Sequence, residues 1–330
     1  MKKHLYENIE RKQMMIANVS NNSEVIPIVY TPNDRYVTLA LTSMVSIAEN
    51  TDRNLDFIIL YSDISEKYMK YLDSITSYPN CKITYKKIDK KIFLDAGALE
   101  RLPYYTAEVY YKMIIPDVIP DYDKALFFDS DTLCLGDIGE LFDEDLMDVS
   151  LGAVQDVWFP EGRQELPLRS KCYFNCGSML YNCKKMRETD FCNRVMASLK
   201  DNALMKYSSE EGILNKMLDM DKVALPLKYN YLEPWWNNRI NYTGDRLIEY
   251  NEAKQNPLMI HFTGYKPNTI HSRHSYREVW WDYAKKTVCY PEIIETFKDD
   301  AFNYMNDVKK EIANYKQILN DIKNKVAPYK

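Results

Sequence analysis

The sequence predicts an α/β protein: a mostly parallel, Rossmann-like sheet flanked by helices, with a helical extension at the C-terminal end. Short β-branched apolar runs recur between residues 24 and 129, and amphipathic segments of helical period separate them. Strands that alternate with helices pair in parallel, because each helix carries the chain back to the starting edge. A change to heptad spacing after residue 300 marks the extension.

Beyond an N-terminal extension (residues 1–23), Glu24–Thr31 (EVIPIVYT) reads as a buried strand, and Asn33-Asp34 turns the chain. Tyr36, Ala40, Ser43, Met44 and Ile47 then fall at helical spacing. Leu55–Ser62 is the next strand, and Met69, Leu72 and Ile75 mark the helix after it. Cys81–Ile88 alternates as a third strand. A helix over Ala107–Ile115 should end before Pro116, and Lys124–Asp129 (KALFFD) is a fourth strand. Ser150–Asp156 and Asn175–Asn182 read as strands, and Lys184–Leu199 as one helix. Ser209–Leu218 is a short helix with two acids in its first turn. Pro257–Gly264 is a late strand carrying His261, and in the helix Tyr276–Thr287 Trp280 and Trp281 pack on the body. No repeat or linker divides this order, so one domain over 24–290 is expected, followed by a helical extension over 291–330.

In that extension Met305, Val308, Ile312, Tyr315, Leu319, Ile322 and Val326 alternate three and four apart. A helix over Ala301–Val326 would be about 39 Å long with one apolar stripe. The stripe could pack on its own domain, join copies into a homo-oligomer, or make peripheral contact with a membrane. Lys309, Lys310, Lys316, Lys323, Lys325 and Lys330 on its other faces suit the last.

A net charge of -5 over 330 residues argues against nucleic acid, which needs a concentrated basic surface. No run of eighteen apolar residues could cross a membrane, and the N-terminus lacks the apolar core of a secretory signal. Seven irregularly spaced cysteines, none in a C-x-x-C pair, read as reduced thiols. The expected location is cytoplasmic, with the inner face of the membrane as the alternative tied to the stripe.

The chemistry concentrates on Phe128–Asp131 (FDSD). Asp-x-Asp triplets also occur at Asp121-Tyr122-Asp123, Asp143-Glu144-Asp145 and Asp219-Met220-Asp221, so spacing alone identifies nothing. Ligands of such sheets bind at the carboxyl ends of strands, and only Asp129-Ser130-Asp131 directly follows an apolar strand. The other triplets precede that strand, fall in an acidic helical segment, or lie in a turn, where solvated charge is the plain reading. For Asp129 and Asp131 the competing reading is an N-cap pair. Two carboxylates suit a hard divalent cation, Mg²⁺ or Mn²⁺, and an imidazole ligand favours Mn²⁺. Of His4, His261, His271 and His274, only His261 lies near the end of an apolar strand. Gly264 permits close backbone approach and Lys266 offers a point charge for phosphate. Together these groups would hold a metal-bound diphosphate and stabilise it as a leaving group. No P-loop, G-x-G-x-x-G or G-x-S-x-G motif offers other chemistry.

Six stretches between about Ile26 and Thr287 carry a resemblance: IPIVYTPNDRY, YYKMIIPDVIPDYDKALFFDSDTLCLGDIGELFD, FNCGSMLYNCKKMR, SEEGILN, HFTGYKP and VWWDYAKKT. In them the chain resembles the retaining glycosyltransferases of family 8. These have the nucleotide-diphospho-sugar (GT-A) fold and include bacterial lipopolysaccharide galactosyl- and glucosyltransferases and glycogenin. The resemblance implies an Mn²⁺-dependent catalytic domain that moves glucose or galactose from a UDP-sugar to a saccharide or glycan acceptor, as in polysaccharide biosynthesis. It implies that Thr31, Asn33 and Tyr36 contact the uridine, that Asp129, Asp131 and His261 bind the metal, and that Ser130 lies against the ribose. Lys112 stands where bacterial members usually carry arginine, near the diphosphate or sugar. Asp156 and Asn175 fall at contacts to the donor sugar and cleft, and Gly264 and Lys266 at the diphosphate.

Two departures bear on the chemistry. Glu210-Glu211 stand where the family commonly reads Asp-Gln. Glu210 would orient sugar hydroxyls. Glu211 would be either a nucleophile for double displacement or a stabiliser of an oxocarbenium-like state during front-face attack. His261 and Lys266 are five apart where many members have six. Acceptor walls are expected over Asp89–Tyr105, Trp158–Tyr173 and Tyr229–Tyr250, with Tyr104, Tyr105, Phe159, Trp235 and Trp236 among their aromatics. Two other readings compete: a nucleotidyltransferase-like enzyme on a related sheet, against which the glycine-free YTPNDRY counts, and a catalytically silent sugar- or protein-binding module.

Overall fold

The computed structural model describes residues 25–94, 106–200, 209–234 and 239–326. The N-terminal extension, Tyr104, Tyr105, Trp235 and Trp236 lie outside them. β1 (Ile26–Tyr30) pairs in parallel with β2 (Leu55–Tyr61) and with β4 (Lys124–Phe128), and β2 pairs in parallel with β3 (Cys81–Lys87). β7 (Phe174–Asn182) runs antiparallel between β4 and β6 (Leu151–Gln155), and β8 (Lys222–Ala224) adds in parallel to β6. Among the described residues the sheet therefore has seven strands in the order β3-β2-β1-β4-β7-β6-β8. β7 alone is reversed, because residues 156–173 join it to β6 without a crossover helix.

Both faces of the sheet's centre are covered, which is why β1, β2 and β4 read as continuous apolar runs, while the edge strand β3 alternates. Ile28 and Tyr30 on one face pack with Met44 of α1 (Val37–Asn50), while Val29 on the other joins Tyr110 and Tyr111. A second, small sheet has the order β5-β10-β9, from Thr132–Cys134, Met259–His261 and Tyr231–Leu232. In it His261 is paired with Thr132, so a residue late in the chain stands beside the end of β4.

Several expected helices differ in detail. After α2 (Glu66–Asp73), the segment read as one helix over Ala107–Ile115 is a 3₁₀ helix, Ala107–Met113, followed by a helical turn, Ile115–Val118. Pro116 opens that turn instead of stopping the helix, because a first-turn residue needs no N–H partner. The helix expected over Lys184–Leu199 is two, α3 (Cys183–Glu188) and α4 (Phe191–Ser198). Asp190 breaks it with a left-handed φ of 53°, a region that aspartate tolerates better than most side chains. α5 (Glu210–Met217) carries Glu210 and Glu211 in its first turn as expected, and α6 (Asp245–Gln255) and α7 (Arg277–Ala284) follow. Trp280 is buried and Trp281 sits edge-on to Phe297.

The last helix, α8 (Tyr290–Val326), has 37 residues and is about 55 Å long. Its first turns hold the body through buried Ile293 and through Glu292, which accepts from Tyr68. The stripe beyond does not pack on the domain: Met305, Ile312, Tyr315, Leu319 and Ile322 are all exposed. No helix among the described residues is long and apolar enough to cross a membrane.

The aspartates of two other triplets, Asp121, Asp123, Asp143 and Asp145, are exposed to solvent as expected, and only Asp219 and Asp221 are half-buried anchors. Asp123 pairs with Arg187 at 2.7 Å, and Asp143, at the end of a helical turn, pairs with Arg53 at 3.1 Å. Asp219 accepts from the Arg169 and Ser170 amides, and Asp221 from Ser150 and Lys185.

Candidate active site

At the end of β4 the Asp129 amide donates to the Gly177 carbonyl at 2.9 Å, extending the β4–β7 pairing by one residue. The chain then turns through Ser130 and Asp131 into β5, and Thr132 Oγ1 closes the turn on the Asp129 carbonyl at 2.9 Å. Across the small sheet the Phe262 amide donates to the Asp131 carbonyl at 2.9 Å. This places His261 Nε2 3.4 Å from Asp131 Oδ1 and 3.8 Å from Asp129 Oδ2. One ligand atom from each of the three residues lies within 4.8 Å of the others. Gly177 makes room for the ring, since a Cβ there would stand 2.1 Å from His261 Cε1.

Behind the triad, His261 Nδ1 lies 3.1 Å from Asn175 Oδ1, which also accepts from the Gly177 amide (3.0 Å) and from Asn230 Nδ2 (2.9 Å). An amide oxygen can only accept, so Nδ1 donates to it and Nε2 is left facing the two acids. Asn175 Nδ2 donates in turn to Glu211 Oε2 at 3.1 Å, and the Cys176 amide donates to the same oxygen at 3.2 Å.

Two ammonium groups face the acids. Lys112 is buried, with Nζ 3.1 Å from Asp129 Oδ1, 3.9 Å from Glu210 Oε1 and 4.9 Å from the centre of the Phe127 ring. Lys266 Nζ donates to Asp131 Oδ2. Gly264, at φ 76°, reverses the chain between His261 and Lys266, so the five-residue spacing still brings the lysine back to the acids. Burial would raise Asp131, but Lys266 and His261 outweigh it and hold the carboxyl well below the usual range. Burial would lower Lys112, and Asp129 and Glu210 more than offset it.

The remaining acids are held the other way. Burial, reinforced by Asp156 and Glu210, pushes Glu211 up to about 8. Burial also raises Asp156, although its Oδ1 accepts from the Phe159 and Trp158 amides at 2.7 and 2.9 Å. Glu210 is raised by burial against the pull of Lys112.

A cavity of about 550 Å³ opens over this floor. Thr31, Asn33, Tyr36, Lys112, Asp129, Ser130, Asp131, Glu210, His261, Gly264 and Lys266 all line it. Asp156, Asn175 and Glu211 do not: Asp156 and Asn175 are buried behind the floor, and Glu211 keeps a partly exposed edge there. Sequence reasoning missed Arg35, Thr106, Glu108, Val109 and Thr263 among the lining residues, and Gly177 and Asn230 beneath them. Thr106 and Glu108 are placed by Asn33 and Ser62 across the chain, which no local pattern signals.

Residues 27–268 match the family model for glycosyl transferase family 8. GlyF, a glycosyltransferase of Streptococcus pneumoniae serotype 4, is 27% identical over 289 residues, 86% of this chain and 67% of GlyF. Of solved structures, the bifunctional glycosyltransferase WbbM superposes with a TM-score of 0.70 at 23% identity, over 83% of this chain and 52% of its own. The galactosyltransferase LgtC, in complex with donor and acceptor sugar analogues, superposes with 0.69 at 20% identity, over 80% and 96%. The chain thus spans about two thirds of GlyF and half of WbbM, and nearly all of LgtC.

Proposed function

The chain belongs to glycosyltransferase family 8 and has the GT-A fold, and from that premise we propose that it moves a hexose, glucose or galactose, from a UDP-sugar to a saccharide or glycan acceptor, with retention and with Mn²⁺ at Asp129, Asp131 and His261. The catalytic unit of this reading is residues 24–290. The observation that carries it is the meeting of two strand-end carboxylates and one imidazole oriented by Asn175, with an ammonium group against each carboxylate.

The donor set fits the cation: two anionic oxygens and one neutral nitrogen are ligands Mn²⁺ accepts, and Asn175 orients the imidazole. Bound there, the cation would supply Lewis-acid stabilisation of the diphosphate as the sugar leaves it. Lys112 and Lys266, now paired with the acids, would turn their Nζ groups to phosphate oxygens, adding fixed positive charge where negative charge develops. Tyr36, Asn33 and Thr31 at the rim would hold the uracil end, and Ser130 the ribose. Glu210 lies on the Lys112 side of the floor, in reach of sugar hydroxyls. Glu211 is oriented by Asn175 and the Cys176 amide, and both donors favour the ionised form that a nucleophile or an oxocarbenium stabiliser needs.

The test is a screen of UDP-, GDP- and ADP-sugars for Mn²⁺-dependent thermal stabilisation, followed by hydrolysis and transfer assays. UDP-glucose or UDP-galactose should raise the melting temperature only with metal present, and Asp131→Asn should abolish both effect and turnover. UDP-sugars that neither bind nor turn over with Mn²⁺ would refute this reading.

A further inference from the structure

Helix α8 leaves the body carrying an apolar stripe that no described part of the chain covers. Asp300 accepts from the Ile270 amide at 2.7 Å, and Tyr304 meets His271 edge-on at 5.0 Å; these contacts tie the helix to the body. Past them Met305 is 55% exposed, Ile312 50%, Tyr315 65%, Leu319 57% and Ile322 51%, with Val308 between them half-buried, so these five side chains face outward. We propose that this stripe is the seam of a parallel coiled coil between two copies of the chain.

The spacing supports a helical partner. An alternation of three and four averages about 3.5 residues per turn, and a straight helix has about 3.6, so such a stripe stays on one side only when two helices wind around each other. In heptad terms Met305, Ile312 and Leu319 take one seam position, and Val308, Tyr315 and Ile322 the other.

The charges choose the second copy and its direction. Along one border of the seam lie Lys309 and Lys316; along the other lie Tyr304, Glu311 and Ile318. An antiparallel pair would set the two lysine borders against each other. A parallel pair sets each border against its opposite, so Glu311 of each copy meets Lys316 of the other, twice by symmetry. Glu311 also argues against a lipid surface. It stands on the apolar side, one turn from Tyr315, where a membrane would have to bury its carboxylate against anionic headgroups.

The test uses the full chain in analytical ultracentrifugation over a wide concentration range. The mass should rise from 39.0 kDa towards twice that value. Ile312→Asp with Leu319→Asp should remain monomeric while keeping the melting temperature of the dilute wild-type protein. Glu311→Lys and Lys316→Glu should each weaken self-association about fivefold or more, and mixing the two variants should restore it as a heterodimer. A monomer at every concentration, association that ignores the seam substitutions, or no gain on mixing would each overturn the proposal. So would a monomer that co-sediments with phosphatidylglycerol vesicles through Ile312 and Leu319, which would assign the face to a membrane.

Discussion

Asn175 joins the two halves of the candidate active site: its Oδ1 lies 3.1 Å from His261 Nδ1, and its Nδ2 donates to Glu211 Oε2 at 3.1 Å. The amide therefore orients the imidazole and the acid together. Asn175→Ala should weaken Mn²⁺ affinity about 10- to 100-fold, as loss of a partner behind a metal-bound histidine usually does. A manganese titration of the melting temperature with UDP present reads this directly. Unchanged affinity would make Asn175 a packing residue only.

Gly177 is the space His261 occupies. Gly177→Ala should cost about 1–3 kcal/mol of stability and displace the ring, because a Cβ 2.1 Å from the imidazole cannot be accommodated without movement. Metal-dependent stabilisation should disappear while the protein still melts cooperatively. A variant that binds Mn²⁺ normally would show that the ring can retreat without leaving the site.

In the proposed reading Lys266, which donates to Asp131, competes with the cation for that carboxylate and assists the diphosphate. Lys266→Met should leave Mn²⁺ binding equal or tighter in the absence of nucleotide, while UDP-sugar KM rises about 10- to 100-fold for the lost charge-assisted bond. Parallel loss of metal and nucleotide affinity would contradict this division of labour.

Glu211 sets a pH dependence whose sign follows from its raised pKa. An acid held near 8 when folded and near 4.5 when unfolded binds more protons in the native state between those values. Native stability from this group is therefore full below about 4.5, falls as pH rises, and levels off above about 8. Without metal, the melting temperature of Glu211→Gln should gain on wild type across that window. A constant difference would mean that Glu211 ionises as an ordinary carboxylate.

The same substitution separates its two catalytic roles. Glutamine retains the position and the hydrogen bonds but cannot form a glycosyl ester, so a stabilising role should keep transfer within about tenfold of wild type. A loss of a thousandfold or more, with UDP affinity intact, would mark a nucleophile.

The sheet and the cluster of Asp129, Asp131 and His261 were legible because each rests on a local signal. Ala125–Phe128 is an apolar run ending in two acids, and His261 is the one histidine near the end of such a run. Asn230 and Gly177 carried no signal, since their importance arises from how β4, β7 and β10 are juxtaposed. Asp190 was invisible because a left-handed aspartate leaves no periodic trace. The early start of α8 was hidden because its first turns face the body through Ile293 and Phe297, off the later stripe. Asp221 and Asp219 of one other triplet serve the backbone amides of Ser150 and Ser170, which only the folded chain brings near.

The reversal of β7 has a consequence for how this protein can change. Because β7 runs against β4, its opening residues lie beside the closing residues of β4, and Asn175 and Gly177 reach the floor of the cleft from a strand's beginning. Side chains along a strand alternate faces, so a slip of one residue would exchange that pair for Phe174 and Cys176. The connection over 156–173 has no regular pairing to β4 and can absorb an added residue; the first four residues of β7 cannot. Insertions in descendants of this sequence should therefore be tolerated on one side of Tyr173 and silence the enzyme on the other.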